Sequence, residues 1–231
     1  SFMKQIHEIL ADDGVWFFEQ SYMPTMLKVN AYDTICHEHL EYYGLKQIKW
    51  MADRTGFKII DVQLNEVNGG SFSVLMAKAG SGLKENKSRI SLLLEKEREL
   101  GLDTLAPYKA FKARMFAHRK KLIALVRGLG ARKKTVFGYG ASTKGNVILQ
   151  FCGFNSADIP YIAEVNEDKY GCLTPGSLIP IISEEKARAM KPDYFLVLPW
   201  HFRGNIIERE KGFVGSGGKL IFPLPALSVY P

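Results

Sequence analysis

Thr135-Val136-Phe137-Gly138-Tyr139-Gly140-Ala141-Ser142-Thr143-Lys144-Gly145-Asn146, running into Val147-Ile148-Leu149, reads as strand, glycine turn and helix. That order is the phosphate-cradling arrangement of α/β proteins. Glycines let the backbone approach a ligand, and free N–H groups at the helix start meet an anion. Each helix-end contact contributes only about 0.3–1 kcal/mol at an exposed site, so Lys144 and the hydroxyls of Ser142 and Thr143 are expected to share the task. The stretch is not a P-loop, because Lys144 precedes the last glycine. Nor is it a strict dinucleotide fingerprint, since Thr143 stands where the third glycine belongs. Glu164, closing a predicted strand over 161–165, keeps a nicotinamide cofactor formally open. A glycine turn that serves only helix–strand packing is the alternative.

Downstream, Asn166-Glu167-Asp168-Lys169 is a polar strand end, followed by a Thr174-Pro175-Gly176 turn and a short apolar segment over 179–182. Ser183 reads as an N-cap with Glu184 and Glu185 in the first turn. Residues 194–198 predict a buried strand, with Trp200 and His201 past its C-terminal edge, the ligand side of a parallel sheet. A helix over 203–211 and a last strand over 219–223 complete the unit. Upstream, 84–100 and 104–128 predict two helices that pack rather than bind. The first has a narrow stripe of Ile90, Leu93, Leu94, Glu97 and Leu100. Before the Gly80-Ser81-Gly82 boundary come a helix from Phe2 to Leu10, a fully apolar strand Val15-Trp16-Phe17-Phe18 with Glu19 at its C-terminal edge, and a loop from Pro24 to Asp33. A helix over 45–55, a strand over 57–62, the Asn68-Gly69-Gly70 turn and a strand over 71–78 follow. The order predicts α/β architecture throughout: the second half of an α/β sheet in 1–80, then a helical 84–130 and an α/β 131–231.

Thr34-Ile35-Cys36-His37-Glu38-His39-Leu40 concentrates titratable chemistry. Two imidazoles flank a carboxylate, and a carboxylate neighbour can raise imidazole basicity, which suits proton transfer. A zinc helix needs His-Glu-x-x-His; His37 and His39 are two apart and share a face only in an extended segment. A polar loop whose histidines cap the following helix is the alternative reading.

Hydrophobic content of 46% and charged content of 24% are those of a soluble globular protein. The net charge of +7 is spread, with short runs only at Arg119-Lys120-Lys121 and Arg132-Lys133-Lys134, and no aromatic interleaving. It fits a phosphorylated small molecule better than nucleic acid. Cys36, Cys152 and Cys172 form neither a disulfide framework nor a zinc ribbon. No apolar run approaches membrane-spanning length and no signal peptide is evident, so a cytoplasmic location away from membranes is expected.

Four stretches together resemble the SAM-dependent sugar C-methyltransferases, which methylate C3 of nucleotide-linked 4-keto-deoxysugars. They are 33–39, Asn68-Gly69-Gly70-Ser71, 138–146, and Asp168-Lys169 with Thr174-Pro175-Gly176. They run in order along all of the chain, and the first and third are the most specific. The resemblance implies the later strands of a SAM-binding methyltransferase Rossmann domain in 1–80 and a Rossmann-like C-terminal domain in 84–231. The family's zinc-binding N-terminal domain and SAM glycine loop have no counterpart here. The expectation is therefore SAM in the complete enzyme, zinc only in that other domain, no metal on these residues, and no turnover by this chain alone.

By the same resemblance His39 matches the general base that removes the proton α to the C4 ketone, and Glu38 an acid that orients it. Cys36 stands where family members commonly carry a tyrosine, with Tyr42 or Tyr22 as replacement hydroxyls. Substrate contacts are expected from Asn68, Gly69 and Gly70, from Gly138, Tyr139, Gly140, Ser142, Thr143, Lys144 and Asn146, and from Trp200 and His201. The glycine turn would face the diphosphate of a dTDP-type sugar. Two alternatives stay open: a non-catalytic sugar-nucleotide or dinucleotide-binding module, and an NAD-dependent oxidoreductase resting on Gly138-Tyr139-Gly140 and Glu164.

Overall fold

The helical spacing at the start of the chain becomes α1 (Phe2–Ile9), and the elements that follow are β1 (Val15–Ser21), α2 (Met23–Lys28), α3 (Leu45–Arg54), β2 (Phe57–Asn65), β3 (Ser71–Lys78) and α4 (Lys87–Glu99). The computed structural model describes residues 2–231. They divide into two compact units, 2–28 with 40–110 and 29–39 with 111–231, and the division falls within the long helix α5 (Ala106–Ala131).

In the first unit β3 lies between β1 and β2 and is antiparallel to both. Phe72, Val74 and Met76 alternate along β3 and are fully buried, as one face of a half-buried strand should be. They pack with Phe57, Ile59 and Val62 of β2, Leu45, Ile48 and Ala52 of α3, and Ile90 and Leu93 of α4. The apolar run read as a strand is one, and it lies at a sheet edge: no residue of β1 is buried, and Phe17 is 64% exposed. Glu19 does not close this strand but lies inside it, its carboxylate accepting from Asn65 Nδ2 at 2.7 Å and Ser73 Oγ at 3.2 Å across the sheet. The segment from Pro24, expected as loop, begins as α2. Proline is tolerated there because first-turn N–H groups have no intrahelical acceptor.

α4 belongs to this first unit, although a boundary was expected at 80–84. The physical reason is Glu97, a buried carboxylate inside the apolar stripe. It accepts from the backbone N–H of Leu45 at 2.5 Å and of Lys46 at 3.0 Å, and from the Tyr22 hydroxyl at 2.8 Å. α3 starts at Gly44, which has no side chain to cap it, and Glu97 supplies the anion its N-terminus calls for. Gln47 takes the Gly44 N–H at 3.0 Å, so the caps are not made by the histidines.

The second unit contains β4 (Val136–Tyr139), α6 (Thr143–Cys152), β5 (Ile162–Glu164), β6 (Ile181–Ser183), α7 (Glu184–Ala189), β7 (Tyr194–Val197), α8 (Arg203–Arg209), α9 (Lys211–Gly215), β8 (Lys219–Phe222) and β9 (Ser228–Tyr230). Its sheet runs β6-β5-β4-β7-β8-β9, parallel except for β9, and is Rossmann-like. All four residues of β4 are buried, as expected of a central strand covered on both faces. The chain leaves β4 toward β5 on one side and returns on the other as β7, so the topological switch point lies at their C-terminal ends. The single helix expected over 203–211 is broken at Glu210, whose carboxylate turns into the core. There it accepts from Tyr139 Oη at 2.9 Å and from Arg188 at 2.6 and 3.1 Å. Among the described residues no helix is long and apolar enough to cross a membrane.

Candidate functional site

The glycine turn sits at the switch point. Gly140 has φ +84°, and a Cβ there would come within 2.7 Å of Pro199, so only glycine lets β7's exit loop pass. Gly138 and Gly145 are likewise closed in, by Ile162 and Leu198. Ser142 is the N-cap of α6, its Oγ accepting from Gly145 N at 3.0 Å. Tyr139 is buried and bonded to Glu210, a core position rather than an open ligand contact. The 138–142 segment is thus shaped largely by helix–strand packing.

Glu164 belongs to the turn as well. Its carboxylate accepts from the N–H groups of Ala141 at 2.7 Å, Val165 at 2.8 Å and Asn166 at 3.0 Å. Burial alone would push this acid up, but the three backbone donors and the Lys169 ammonium at 3.7 Å outweigh it and hold it below the usual range. Lys169 also donates to Ala141 O at 2.8 Å. Glu164 is therefore occupied as a strap on the glycine turn, which leaves the oxidoreductase alternative without its ribose ligand.

The far side of the turn is different. Residues 29–39 pack on the first turn of α6 within the same unit. Tyr32 anchors them: its hydroxyl meets His118 Nδ1 at 3.0 Å, while His118 Nε2 lies 2.5 Å from Pro223 O. A carbonyl only accepts, so Nε2 carries the proton and Nδ1 accepts from the tyrosine. Next to it Asp33 is fully buried, with one oxygen accepting from Trp200 Nε1 at 2.7 Å and the other, Oδ1, without a partner. Burial raises the Asp33 carboxyl, against the pull of Trp200, the Lys144 charge and the backbone N–H groups of Asp33 and Thr34. Burial lowers Lys144, opposed by Asp33 and Cys36.

The His-Glu-His stretch is a turn, not extended: His39 N–H reaches back to Cys36 O at 3.2 Å. His37 and Glu38 are exposed, while Cys36 and His39 are half-buried. Glu38 accepts from Thr143 Oγ at 3.1 Å, tying the stretch to the first turn of α6. His201 is half-buried, its Nδ1 buried without a partner, and burial with the Lys144 charge pushes it down to about 4. It is therefore neutral at physiological pH.

Of the expected residues, Cys36, Glu38, His39, Thr143, Lys144, Asn146, Trp200 and His201 lie in the second unit together with the glycine turn. Asn68, Gly69 and Gly70 lie in the first. Gly70 has φ +125°, and a Cβ there would meet Thr25 of α2 at 2.1 Å, so close packing accounts for it. Tyr22 is no replacement hydroxyl, being buried in the first unit on Glu97. Asp33 was missed as a site residue. Its only sequence signal is its place at the head of the 33–39 stretch; its partner Trp200 is 167 positions away.

A family model described as the C-methyltransferase C-terminal domain matches residues 66–225, and one described as a methyltransferase domain matches residues 1–62. The protein named C-methyltransferase NovU, from Streptomyces niveus, is 38% identical over 220 residues, which cover 95% of this chain and 52% of that protein. The chain therefore spans about half the length of that relative.

Proposed function

The chain belongs to the C-methyltransferases, and from that premise we propose that it forms the C-terminal part of an enzyme that methylates C3 of a nucleotide-linked 4-keto-deoxysugar. The first unit would contribute to the methyltransferase domain and the second would form the substrate-holding domain. The observation that supports this most is the seating of the His-Glu-His turn on the glycine-turn helix, through Glu38 and Thr143. It joins a candidate base and a candidate nucleotide-binding element in one unit.

In this reading His39 takes the proton from the carbon α to the ketone, and the electron pair left behind moves onto the ketone oxygen as an enolate. Glu38, held by Thr143, fixes the turn that carries the base. Cys36 replaces the family's tyrosine with a thiol, close to Lys144. The diphosphate of a dTDP-type substrate accounts for the net positive charge. Such a substrate is met in the cytoplasm.

S-adenosylmethionine is the methyl donor that the family implies. The described residues offer it no cradle. In the first unit no strand ends in a glycine-rich turn that opens a helix. In the second, the one such turn has its acid, Glu164, committed to backbone N–H groups. No step here is routed through the donor, and these residues alone are not expected to turn over.

The test is His39→Asn in the complete protein. Methyl transfer should fall by about 100-fold or more with binding of the sugar nucleotide nearly unchanged. Retained activity would remove His39 as the base, and absence of any turnover in the complete wild-type protein would favour a non-catalytic binding module.

A further inference from the structure

The crevice beside the glycine turn opens into a cavity of about 370 Å³, and every residue that lines it belongs to the second unit. The turn itself, the end of β5, and α8 with the residues that lead into it form its walls. Its size is that of a small-ligand site, and its place at the C-terminal ends of β4, β5 and β7 is where open α/β sheets take their ligands.

The charges of the lining cancel. Lys169 lies 3.7 Å from Glu164, and Arg209 lies 2.7 Å from Glu184, and all four residues line the cavity. A diphosphate placed inside would meet two carboxylates beside cations that those carboxylates already hold. The rest of the lining is neutral. Phe202 is 53% exposed, and Pro199, Val165 and Ile206 add apolar wall. Ser142 Oγ accepts from Gly145 N at 3.0 Å and keeps its own O–H to donate. The exposed Asn205 amide both donates and accepts. An open aromatic ring beside a donor–acceptor amide suits a flat, neutral heterocycle, which can stack on the ring while a carbonyl and an adjacent N–H pair with the amide.

The chain order then aligns the ligand. Ser142 lines the cavity, and the next residue, Thr143, donates to Glu38 of the His-Glu-His turn at 3.1 Å. Cavity and candidate base are therefore joined through successive residues at the start of α6, as the two ends of one elongated ligand require. We propose that this cavity takes the pyrimidine base of the substrate's nucleotide, stacked on Phe202 and read by Asn205, while the diphosphate crosses the start of α6 toward His39. The assignment rests on the reading of the ligand as a nucleotide-linked sugar.

The experiment is calorimetric titration of this chain with dTDP, ADP and inorganic pyrophosphate, together with NOEs between the dTDP base protons and the Phe202 ring. Phe202 and Asn205 are exposed, so Phe202→Ala and Asn205→Ala should keep the urea midpoint of the wild type. The wild type should bind dTDP about tenfold or more tighter than pyrophosphate, and the NOEs should be present. Phe202→Ala should weaken dTDP by about tenfold and Asn205→Ala by about threefold to tenfold, with pyrophosphate unchanged in both. If dTDP binds the wild type and both variants equally, or binds without those NOEs, the cavity assignment is overturned and the sugar-nucleotide reading stands. Equal weakening of dTDP and pyrophosphate would overturn it in the same way. Tighter binding of ADP than of dTDP would exclude a pyrimidine site. If the wild type binds neither nucleotide, the assignment and the reading beneath it both fall.

Discussion

The two units each bury a carboxylate from a loop–helix region, and they treat it in opposite ways. In the first, Glu97 is surrounded by two backbone N–H groups and a tyrosine hydroxyl, and every donor is one that the fold itself needs satisfied. In the second, the Trp200 indole holds one oxygen of Asp33 at 2.7 Å, the Lys144 charge and the backbone N–H groups of Asp33 and Thr34 act on the carboxylate, and Oδ1 has no partner within hydrogen-bond geometry. Of the five partnerless buried side-chain atoms among the described residues, Asn30, Asp33, Asn146 and His201 supply four in the second unit, and Ser81 supplies the one in the first. A saturated buried acid is structural.

The sharpest way to break this contrast is Glu97→Ala. It strands the Leu45 and Lys46 N–H groups and the Tyr22 hydroxyl, and should destabilise the protein to urea by about 3 kcal/mol or more. A loss under about 1 kcal/mol would mean that Glu97 is not the cap its geometry describes.

Acid should test the second unit next. His201 is held down to about 4 from an ordinary 6.5, first by burial and then by Lys144. The unfolded chain therefore binds more protons between those values. The stability His201 contributes is fully present above pH 6.5 and is lost as pH falls toward 4. His118, also lowered by burial, acts in the same direction, whereas the raised Asp33 carboxyl opposes it. The urea midpoint should drop more between pH 7 and pH 5 in the wild type than in His201→Gln. Identical drops would place His201 in solvent.

The smallest effect carries the most informative sign. Because folding raises the Asp33 carboxyl, its charge costs stability at neutral pH, and the amide removes that cost while still accepting from Trp200. Asp33→Asn should leave the urea midpoint at pH 7 unchanged or raise stability by up to about 1 kcal/mol. A loss beyond about 2 kcal/mol would make Asp33 a second Glu97.

Much of the architecture was legible from local pattern. Val136-Phe137 followed by glycines predicted a strand and a turn, and Ser183 with two glutamates predicted the start of α7; both are in place. α2 escaped because Met23-Pro24-Thr25 has no helical period and proline argues against a helix in its interior. β1 was legible as a strand but not in length, because Glu19 and Gln20 carry no apolar signal, and an apolar run does not say which faces are covered: here Phe17 points to solvent. β9 follows Pro223 and Pro225 with three residues and no alternation to detect.

The site was half legible. By itself the amino-acid order determined the strand–turn–helix unit, the pairing of imidazoles with a carboxylate at 37–39, and the positive balance, because each depends on neighbours within a few residues. Only the tertiary structure decided which polar groups are spent and which are left over. Glu164 looked open and is consumed by three N–H groups; Glu97 looked like stripe and is a cap from 52 residues away. Asp33 looked like loop, and is a buried acid held by an indole far along the chain. Burial and hydrogen-bond saturation are properties of what surrounds a side chain, and those surroundings are assembled from residues that no local pattern connects.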